Sequence, residues 1–413
     1  MSDCTILCTS IVKETDECFE ETNGRGYVNY KKKDGKNMLD LKSIRGEIDQ
    51  IDEEIVRLFE KRMDLCRNVA EYKIATGKPV LDRQREQEKI ETLTALTDNN
   101  FNAHGIEELF QQIMAMSRKL QYKLLVKNGV EQKLEYEKVE RLKKDHIKVV
   151  YQGVPGAYSY AAMQKYFGED VENYNAATFK EAMQEIAEGR ADYAVLPIEN
   201  STAGIVTDVY DLLVEFDNCI VAETAIKINH ALLGLKDADI SDIRTVYSHP
   251  QALMQSAEYL EEHKDWNTIS MSNTAVSAKK VIEKGDKSCA AIASVTAAKI
   301  YGLKVLQEHL NISNENMTKF IVVSRKNIYR ENATKTLVTF EIPHSTGSLY
   351  NILSNFIYNN LNMCKIESRP AKGQNWNYRF FVEIEGTLEQ SAVKNALYGV
   401  KAEATSLKIL GCY

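Results

Sequence analysis

At 413 residues the chain is too long for one ordinary hydrophobic core, and its length predicts two or three domains, of which we expect three. Hydrophobic residues make up 44% of the chain and charged residues 27%, and no apolar run approaches the roughly 18 residues of a membrane span, which argues against a membrane protein. The formal net charge of -7 argues against general nucleic-acid binding, so an anionic ligand would need a local cluster of Lys and Arg.

The segment 1–37 is polar and aperiodic, and we expect it to be disordered. It lacks the basic start and the long apolar core of a secretory signal, which predicts a cytoplasmic protein. The eight cysteines are scattered without a Cys-x-x-Cys pair, which favours reduced structural thiols over a zinc site or a disulfide framework. We expect neither a metal nor a cofactor.

A helical domain is predicted over residues 38–127. From Leu41 to Val69 apolar residues recur at spacings of three and four, which predicts one long amphipathic helix. A second helix follows Asp82, a good N-cap residue, and a third runs from Ile106 to about Leu125. Because three helices alone bury little apolar surface, we expect a homodimer or a higher homo-oligomer.

Charged and amide side chains interrupt the apolar faces of these helices. Arg62 stands where the first helix should bury a leucine, which is costly for a charge unless it is paired. Lys73 follows after nearly three turns, so the two cations share a face and can converge on one anion. The other interruptions are Asp82, Arg85, Glu86, Ser117 and Gln121. Interior salt bridges explain any one of these residues, but together they favour a site for a small anion.

The strongly charged residues 128–146 are predicted to form a solvated linker or a helix extension. Residues 147–326 alternate short β-rich runs with helical stretches, which is typical of an α/β sheet domain. Polar residues stand next to several of these runs, and open α/β sheets bind ligands at the carboxyl ends of strands. The clusters are Gly153 to Gly156, Glu199-Asn200-Ser201, Ser248-His249-Pro250-Gln251 with Gln255 one turn on, and Asn316 to Phe320. Each cluster alone is weak, and for His249 we favour a structural role.

The third unit, residues 334–413, has the order strand, helix, strand, strand, helix, strand, which predicts a ferredoxin-like βαββαβ module. Its first helix opens with Gly347-Ser348-Leu349, where backbone amides could receive a carboxylate. The strand that follows closes with Glu367-Ser368-Arg369-Pro370. By themselves these two motifs are a turn and a strand end.

These segments resemble the domains of one enzyme family. Residues 39–125 resemble the intertwined all-helical chorismate mutase domain, residues 147–325 resemble prephenate dehydratase, and residues 334–413 resemble an ACT domain. The dehydratase motifs are Gly-Val-Pro-Gly (153–156), Pro-Ile-Glu-Asn-Ser (197–201), Ser-His-Pro-Gln (248–251) and Thr-Lys-Phe (318–320). The chain is thus similar to the bifunctional chorismate mutase/prephenate dehydratases, or P-proteins. The resemblance implies an all-helical domain, a two-lobed α/β domain and a ferredoxin-like ACT domain.

By this resemblance the chain converts chorismate to prephenate by a Claisen rearrangement, and prephenate to phenylpyruvate by decarboxylation and dehydration, in phenylalanine biosynthesis. In the mutase, one group of residues clamps the substrate carboxylates, another bonds the ether oxygen, and a third holds the ring hydroxyl. The carboxylates are clamped by Arg45, Arg62 and Ser117, and the ether oxygen is bonded by Lys73 and Gln121. The ring hydroxyl is held by Asp82 and Glu86, and Arg85 also binds substrate. Arg45 lies about 100° from the face of Arg62 and in the family reaches the partner subunit's site.

In the dehydratase the resemblance implies that Thr318 protonates the departing hydroxyl. The residues implied to bind prephenate are Glu199, Asn200, Ser201, Ser248 and Gln255. Two positions depart from the family, because Lys319 stands where Arg is usual and Ala157 where Ser is usual. Lys keeps the charge but loses the bidentate geometry of a guanidinium, which puts substrate affinity in doubt.

In the ACT domain the resemblance implies that phenylalanine binds between paired subunits as an allosteric inhibitor. The implied contacts are Gly347, Ser348, Leu349, Glu367, Ser368, Arg369 and Pro370, with Ser348 in place of the usual alanine. Feedback of this kind requires that phenylalanine bind one global state more tightly than another.

Three alternative functions share features with this sequence. A mutase fused to prephenate dehydrogenase should contain a Gly-x-Gly-x-x-Gly turn after a strand, and the sequence has none. A non-catalytic amino-acid sensor could use two-lobed α/β and ACT modules, but the charged stripe of the helices would then have no purpose. Arogenate in place of prephenate as the dehydratase substrate is excluded by no residue.

Overall fold

The computed structural model describes residues 31–33, 36–38, 40–130, 134–312, 315–370 and 378–413. Strand β1 (Lys31–Lys33) pairs antiparallel with β2 (Lys36–Met38). The sequence predicts disorder for residues 1–37, but strand pairing uses backbone groups, which polar residues have as well. The rest of the 1–37 segment lies outside the described residues. The chain divides into two compact units, Met1–Leu65 and Cys66–Tyr413.

The predicted helical region contains α1 (Leu41–Thr76), α2 (Arg83–Thr94) and α3 (Asn100–Lys127), which confirms its all-helical character. The Asp82 carboxylate accepts a hydrogen bond from the Arg85 backbone N–H at 3.1 Å and caps α2, as the sequence predicts. Asn99 caps α3 in the same way, so this helix begins earlier than the predicted Ile106. None of the described helices has both the length and the apolar composition that crossing a membrane demands.

The α/β region forms two lobes, which are built on two different sheets. Its strands are β3 (Glu137–Val139), β4 (Lys148–Gln152), β5 (Glu172–Ala176), β6 (Tyr193–Asn200), β7 (Gly204–Ile205), β8 (Cys219–Lys227), β9 (Ala231–Gly234), β10 (Thr245–Ser248), β11 (Asn267–Ser270), β12 (Cys289–Ala293), β13 (Lys304–Gln307), β14 (Met317–Ser324) and β15 (Ile328–Arg330). Its α-helices are α4 (Tyr158–Phe167), α5 (Phe179–Ala187), α6 (Thr207–Glu215), α7 (Pro250–Gln255), α8 (Ala257–Glu261), α9 (Thr274–Lys284) and α10 (Val295–Tyr301). The second lobe has the strand order β11-β10-β12-β9-β13, while β4 to β8 and β14 build the first.

The chain crosses between the lobes twice, before β9 and after β13. The two crossing segments bond to each other. The His230 backbone N–H donates to Asn311 Oδ1 at 2.6 Å, and the Leu310 N–H donates to the His230 backbone oxygen at 3.0 Å. These bonds fix the point at which the lobes meet.

The third unit predicted from the sequence, residues 334–413, lies within the second compact unit. It consists of β16 (Lys335–Glu341), α11 (Ser348–Tyr358), β17 (Met363–Pro370), β18 (Tyr378–Glu385), α12 (Ser391–Glu403) and β19 (Ser406–Cys412). Its strands pair antiparallel in the order β17-β18-β16-β19. The sheet continues beyond these four strands, because β19 also pairs with β8 through Gly411 and Ile220. The predicted dehydratase and regulatory domains therefore share one ten-stranded sheet.

The predicted linker, residues 128–146, is more than a solvated connection. Strand β3 pairs parallel with β15, and the Tyr136 hydroxyl donates to the backbone oxygen of Ile409 at 2.9 Å. Leu142 is 4% exposed. The many charged residues of this segment make its few apolar residues easy to overlook in the sequence. Burial of those apolar residues is favourable enough to hold the segment against the sheet.

Candidate active sites

Lys73, near the end of α1, lies beside carboxylates of the predicted mutase site. Its ammonium Nζ donates to the backbone oxygen of Val80 at 2.6 Å, and the side chain is partly buried. Burial lowers the pKa of Lys73, while the negative charges of Asp82 and Glu86 oppose this shift. Lys73 therefore lies within electrostatic reach of two carboxylates that the sequence assigns to the substrate hydroxyl.

Arg118 on α3 is absent from the predicted site, yet it holds one of these carboxylates. Its Nη1 lies 2.6 Å from Glu86 Oε2, and its Nε lies 3.0 Å from Glu403 Oε1 on α12. The Arg118 side chain is 8% exposed, so both ion pairs are shielded from water. The sequence contains a signal for the burial of this residue, because Arg118 stands in helical register with Tyr122 and Leu125, at i, i+4 and i+7. In the structure all three residues are buried.

Ser117 and Gln121 are buried on the same helix, as predicted from their apolar surroundings. The Ser117 hydroxyl donates to the Ile113 backbone oxygen at 2.8 Å, and Gln121 Nε2 donates to the Ser117 backbone oxygen at 3.2 Å. Among the described residues, Gln121 Oε1 is buried without a hydrogen-bond donor. A buried acceptor of this kind is costly, and a ligand N–H or O–H would offset the cost.

The three arginines predicted for the mutase site lie on α1 and α2. Arg45 and Arg62 lie on α1 in the first compact unit, Arg45 exposed and Arg62 partly buried. Arg85 is exposed in the first turn of α2, whose N-cap is Asp82. The substrate contacts assigned to these residues stay predictions.

The predicted dehydratase residues Asn200 and Thr318 are direct neighbours. Strands β6 and β14 pair antiparallel with Thr318 opposite Asn200 and Lys319 opposite Glu199. Asn200 and Thr318 are each 9% exposed, so their side chains bond in a largely dry environment. The sequence identified both strand ends, and the strand register brings them together.

Backbone groups fix the direction of the Asn200 amide. Its Oδ1 accepts from the backbone N–H groups of Thr202 at 3.1 Å and Ala203 at 2.9 Å, a position that only the oxygen can fill. Its Nδ2 therefore donates to Thr318 Oγ1 at 2.8 Å and to Asn316 Oδ1 at 2.7 Å. Because Thr318 accepts from Asn200, its own hydrogen is left for another partner. In the part of the chain that the structure describes, no acceptor takes this hydrogen.

The hydrogen-bond network extends from Asn316 through the predicted residue Gln255 to three residues that the sequence did not select, Thr202, His230 and Tyr158. Asn316 Nδ2 donates to Gln255 Oε1 at 3.0 Å, and Gln255 Nε2 donates to Thr202 Oγ1 at 2.9 Å. His230 Nε2 lies 3.1 Å from the same Gln255 oxygen, so this ring nitrogen carries a hydrogen. The Tyr158 hydroxyl lies 3.1 Å from His230 Nδ1. Burial lowers the pKa of His230, although the hydrogen bond with Gln255 opposes the shift.

Glu199 is shared by two lysines. Its Oε2 lies 3.1 Å from Lys365 Nζ on β17 and 3.6 Å from Lys319 Nζ on β14. Partial burial acts to raise the pKa of the Glu199 carboxyl, but Lys365 and then Lys319 outweigh it and hold that pKa below its usual value. Lys365 was not predicted, and it brings the third unit to the edge of the dehydratase site.

Three other residues of the predicted clusters have structural partners. Ser201 is exposed, and its Oγ accepts from the Met317 backbone N–H at 3.0 Å. Ser248 is fully buried, and its hydroxyl donates to the Ile292 backbone oxygen at 2.6 Å, so the structure does not bring it into the Asn200 network. His249 caps α7 by accepting from the Gln251 backbone N–H at 3.2 Å, the structural role that we favour for it.

The predicted effector motifs lie on α11 and β17. Gly347 has φ 77° and stands at the N-terminus of α11, where a residue with a side chain would be strained. The Ser348 hydroxyl lies 2.6 Å from the Ser345 hydroxyl, and Leu349 is partly buried. On β17, Glu367 and Arg369 face inward while Ser368 and Pro370 are exposed. Arg369 makes two contacts with Asp211 on α6, Nε to Oδ1 at 3.1 Å and Nη2 to Oδ2 at 3.2 Å.

Buried polar side chains thus cluster once in the helical region and once in the α/β region, an arrangement typical of a multidomain enzyme with two centres for small polar substrates. Family models match both regions. The model for chorismate mutase type II matches residues 44–122, and that for prephenate dehydratase matches residues 149–328.

Full-length relatives extend these matches across most of the chain. The bifunctional chorismate mutase/prephenate dehydratase of Buchnera aphidicola subsp. Schizaphis graminum is 35% identical over 381 residues, 91% of this chain and 96% of that protein. The Escherichia coli K12 protein of the same name is 31% identical over 90% of this chain and 96% of its own length. Prephenate dehydratase from Arthrobacter aurescens, solved in complex with L-Phe, matches with a TM-score of 0.60 and 30% identity, covering 65% of this chain and 89% of that one. The chain belongs to the bifunctional chorismate mutase/prephenate dehydratase family, and it is an enzyme with both activities.

Proposed function

We propose that this chain makes phenylpyruvate from chorismate at two separate sites and that phenylalanine regulates it. The observation that carries the proposal is the directed network at Thr318. Because Asn200 donates to the Thr318 oxygen, the threonine hydrogen is free to meet a departing hydroxyl group.

In the dehydratase step, the bond between the ring of prephenate and its carboxylate breaks, and carbon dioxide leaves. The electron pair of that bond moves into the ring, the ring hydroxyl is expelled, and a proton converts it to water. Thr318 donates to the departing oxygen, and the Asn200 N–H stabilises negative charge that develops on the threonine oxygen. Gln255 holds Asn316, which in turn aligns Asn200. Glu199 and Ser201 are also proposed to contact the substrate, whereas the fully buried Ser248, whose hydroxyl bonds the Ile292 backbone oxygen, is no longer placed there.

In the mutase step, Arg45, Arg62 and Ser117 bind the two carboxylates of chorismate, and Arg85 assists. Lys73 and Gln121 bond the ether oxygen, and Asp82 and Glu86 hold the ring hydroxyl. The partly buried ammonium of Lys73 supports this assignment, because a desolvated cation stabilises developing negative charge more strongly than a hydrated one. No nucleophile is needed, since the rearrangement is pericyclic and depends on conformation and charge.

The third unit is proposed to be a ferredoxin-like ACT domain that binds phenylalanine through Gly347 to Leu349 and Glu367 to Pro370. Its strand order and the positive φ of Gly347 support this proposal. A relative was solved with L-Phe bound. The ion pairs Lys365–Glu199 and Arg369–Asp211 connect β17 with the dehydratase lobe. A ligand that shifts β17 would therefore change the position of Glu199 and Asp211.

We further propose a homodimer or higher homo-oligomer in the cytoplasm. The apolar row of α1 is exposed within the single chain, with Ile48 49% and Ile55 54% accessible. Apolar residues repeated along one helix face are costly in water, and a second copy of the same helix would cover them.

The two-site function is tested by separate variants in one chain. Arg62→Ala should abolish chorismate rearrangement while prephenate dehydration survives. Thr318→Ala should do the reverse, and Thr318→Ser, which keeps the hydroxyl, should retain far more turnover than Thr318→Ala. Equal loss of both activities in either alanine variant would contradict separate sites. Prephenate and arogenate compared side by side will decide the dehydratase substrate, and added phenylalanine will test feedback.

A further inference from the structure

Arg118 joins a carboxylate of the predicted mutase site to a carboxylate of the third unit. Its guanidinium lies 2.6 Å from Glu86 Oε2 and 3.0 Å from Glu403 Oε1, and we call these three residues the Arg118 bridge. The Arg118 and Glu403 side chains are 8% and 9% exposed. When one partner of such a shielded pair is lost, the others are left with unbalanced charge, so the positions of the three groups are linked.

The far end of the bridge is anchored to α11. Glu403 Oε2 accepts a hydrogen bond from Asn355 Nδ2 at 3.3 Å. Asn355 in turn lies against Gly399 on α12, where even a Cβ atom would collide with the asparagine side chain. Helix α11 begins at Ser348, directly after Gly347. A shift of this predicted effector motif therefore moves the residue that holds Glu403.

Further contacts tie the same surfaces together. Lys119 Nζ on α3 donates to Ser354 Oγ on α11 at 2.8 Å, and Arg83 Nη2 on α2 donates to the Glu403 backbone oxygen at 3.1 Å. A cavity of about 230 Å³ opens onto both ends of the bridge. Its lining includes Glu86, Arg118, Glu403, Ser345, Thr346 and Ser348.

We propose that Arg118 is a positioning residue for the chorismate rearrangement and that it transmits the state of the third unit to Glu86. The inference rests on the proposed function, which places Glu86 at the substrate hydroxyl and the effector at the start of α11. While Glu403 is in place, Arg118 divides its N–H groups between two acids, and within the described residues the second Glu86 oxygen accepts no hydrogen bond. Without Glu403, the guanidinium can bind both Glu86 oxygens and draw the carboxylate away from substrate.

The test measures both activities, with and without phenylalanine, in full-length Glu403→Gln and Arg118→Met. Each variant should raise the mutase KM about fivefold or more, and the double variant should add little to Arg118→Met because both changes break one bridge. Phenylalanine should alter the mutase rate of the wild type and not that of the variants. Dehydratase turnover and its inhibition should be unchanged, which also shows that the variants fold.

Two exposed residues provide matched controls, Lys123→Met on α3 and Glu385→Gln at the end of β18, and both should behave as the wild type. The proposal is overturned if Glu403→Gln keeps the wild-type mutase KM and phenylalanine response, or if the controls show the same losses. A wild type that does not rearrange chorismate would instead refute the proposed function. If phenylalanine affects neither wild-type activity, the effector role fails, while the KM change still decides whether Arg118 positions Glu86.

Discussion

At the scale of single residues, the chemistry of the dehydratase site depends on the direction of one amide. Two backbone N–H groups occupy the Asn200 oxygen, which forces the amide nitrogen towards Thr318 and Asn316. The direction of this donor decides whether the threonine presents a hydrogen or a lone pair to substrate. Aspartate in place of Asn200 has nearly the same shape but cannot donate.

Asn200→Asp should therefore lower the dehydratase kcat by about 100-fold or more, equivalent to roughly 2.7 kcal/mol of transition-state stabilisation. The new carboxylate would accept the Thr318 hydrogen and withdraw it from the departing hydroxyl. Phenylpyruvate formation from prephenate measures the effect, and chorismate consumption by the same sample is the internal control. A kcat close to that of the wild type would show that the direction of the amide is not important.

The buried His230 predicts how stability depends on pH. Burial lowers the pKa of His230 in the folded chain, whereas the pKa of a histidine in an unfolded chain is about 6.5. The unfolded state thus binds more protons as the pH falls, so this contribution to stability is present above about pH 6.5 and is lost as the pH falls through the folded pKa. Denaturant unfolding of the wild type from about pH 8 to about pH 5 should show a steeper loss than His230→Asn. Parallel curves would mean that His230 is not held neutral.

At the scale of secondary-structure elements, one close approach joins the third unit to the dehydratase lobe. Strands β19 and β8 pair at Gly411 and Ile220, where a Cβ on Gly411 would meet the Ile220 backbone oxygen. A backbone atom in a sheet cannot rotate away as a side chain can. The absence of a side chain at residue 411 is what allows the ten-stranded sheet to continue.

Gly411→Ala should destabilise the protein by about 1–3 kcal/mol, the usual cost of overpacking. Gly105→Ala is the matched control, since no atom lies within 4 Å of its added Cβ and the residue is in the helix α3. This second change should be neutral or stabilising by about 0.5–1 kcal/mol, because alanine favours helix more than glycine does. Unfolding midpoints of the two variants give the comparison. Equal effects would mean that the β19–β8 junction tolerates a side chain.

At the scale of the whole molecule, the apolar row of α1 is exposed to solvent within the single chain. Ile48 and Ile55 belong to this row, while Glu53 is on another face of the same helix. Covering such a row requires another apolar surface, and the proposed homodimer supplies it by symmetry.

The double variant Ile48→Lys/Ile55→Lys should weaken self-association by about 100-fold or more, since buried isoleucines contribute about 2 kcal/mol each. Mutase activity should fall with it, and dehydratase turnover should survive. Sedimentation velocity over a range of protein concentrations measures the association, and Glu53→Lys controls for the added charge. Unchanged association and mutase activity in the double variant would locate the dimer interface elsewhere.

The sequence by itself determined the features that depend on neighbouring residues along the chain. Spacings of three and four predicted α1, Asp82 capped α2 as expected, and polar residues beside β-rich runs located Asn200 and Thr318. Such features follow from local periodicity, capping and strand ends, which a sequence displays directly.

The tertiary structure alone decided which distant groups meet. Arg118 bonds residues that are 32 and 285 positions away, Lys365 reaches Glu199, and Gly411 joins two predicted domains into one sheet. The disorder predicted for residues 1–37 was revised at residues 31–33 and 36–37 by the pairing of β1 with β2, and the solvated linker was revised by the pairing of β3 with β15. The physical reason is that packing and strand pairing select partners by shape and charge in three dimensions, and no local pattern specifies which remote strand or helix becomes a neighbour.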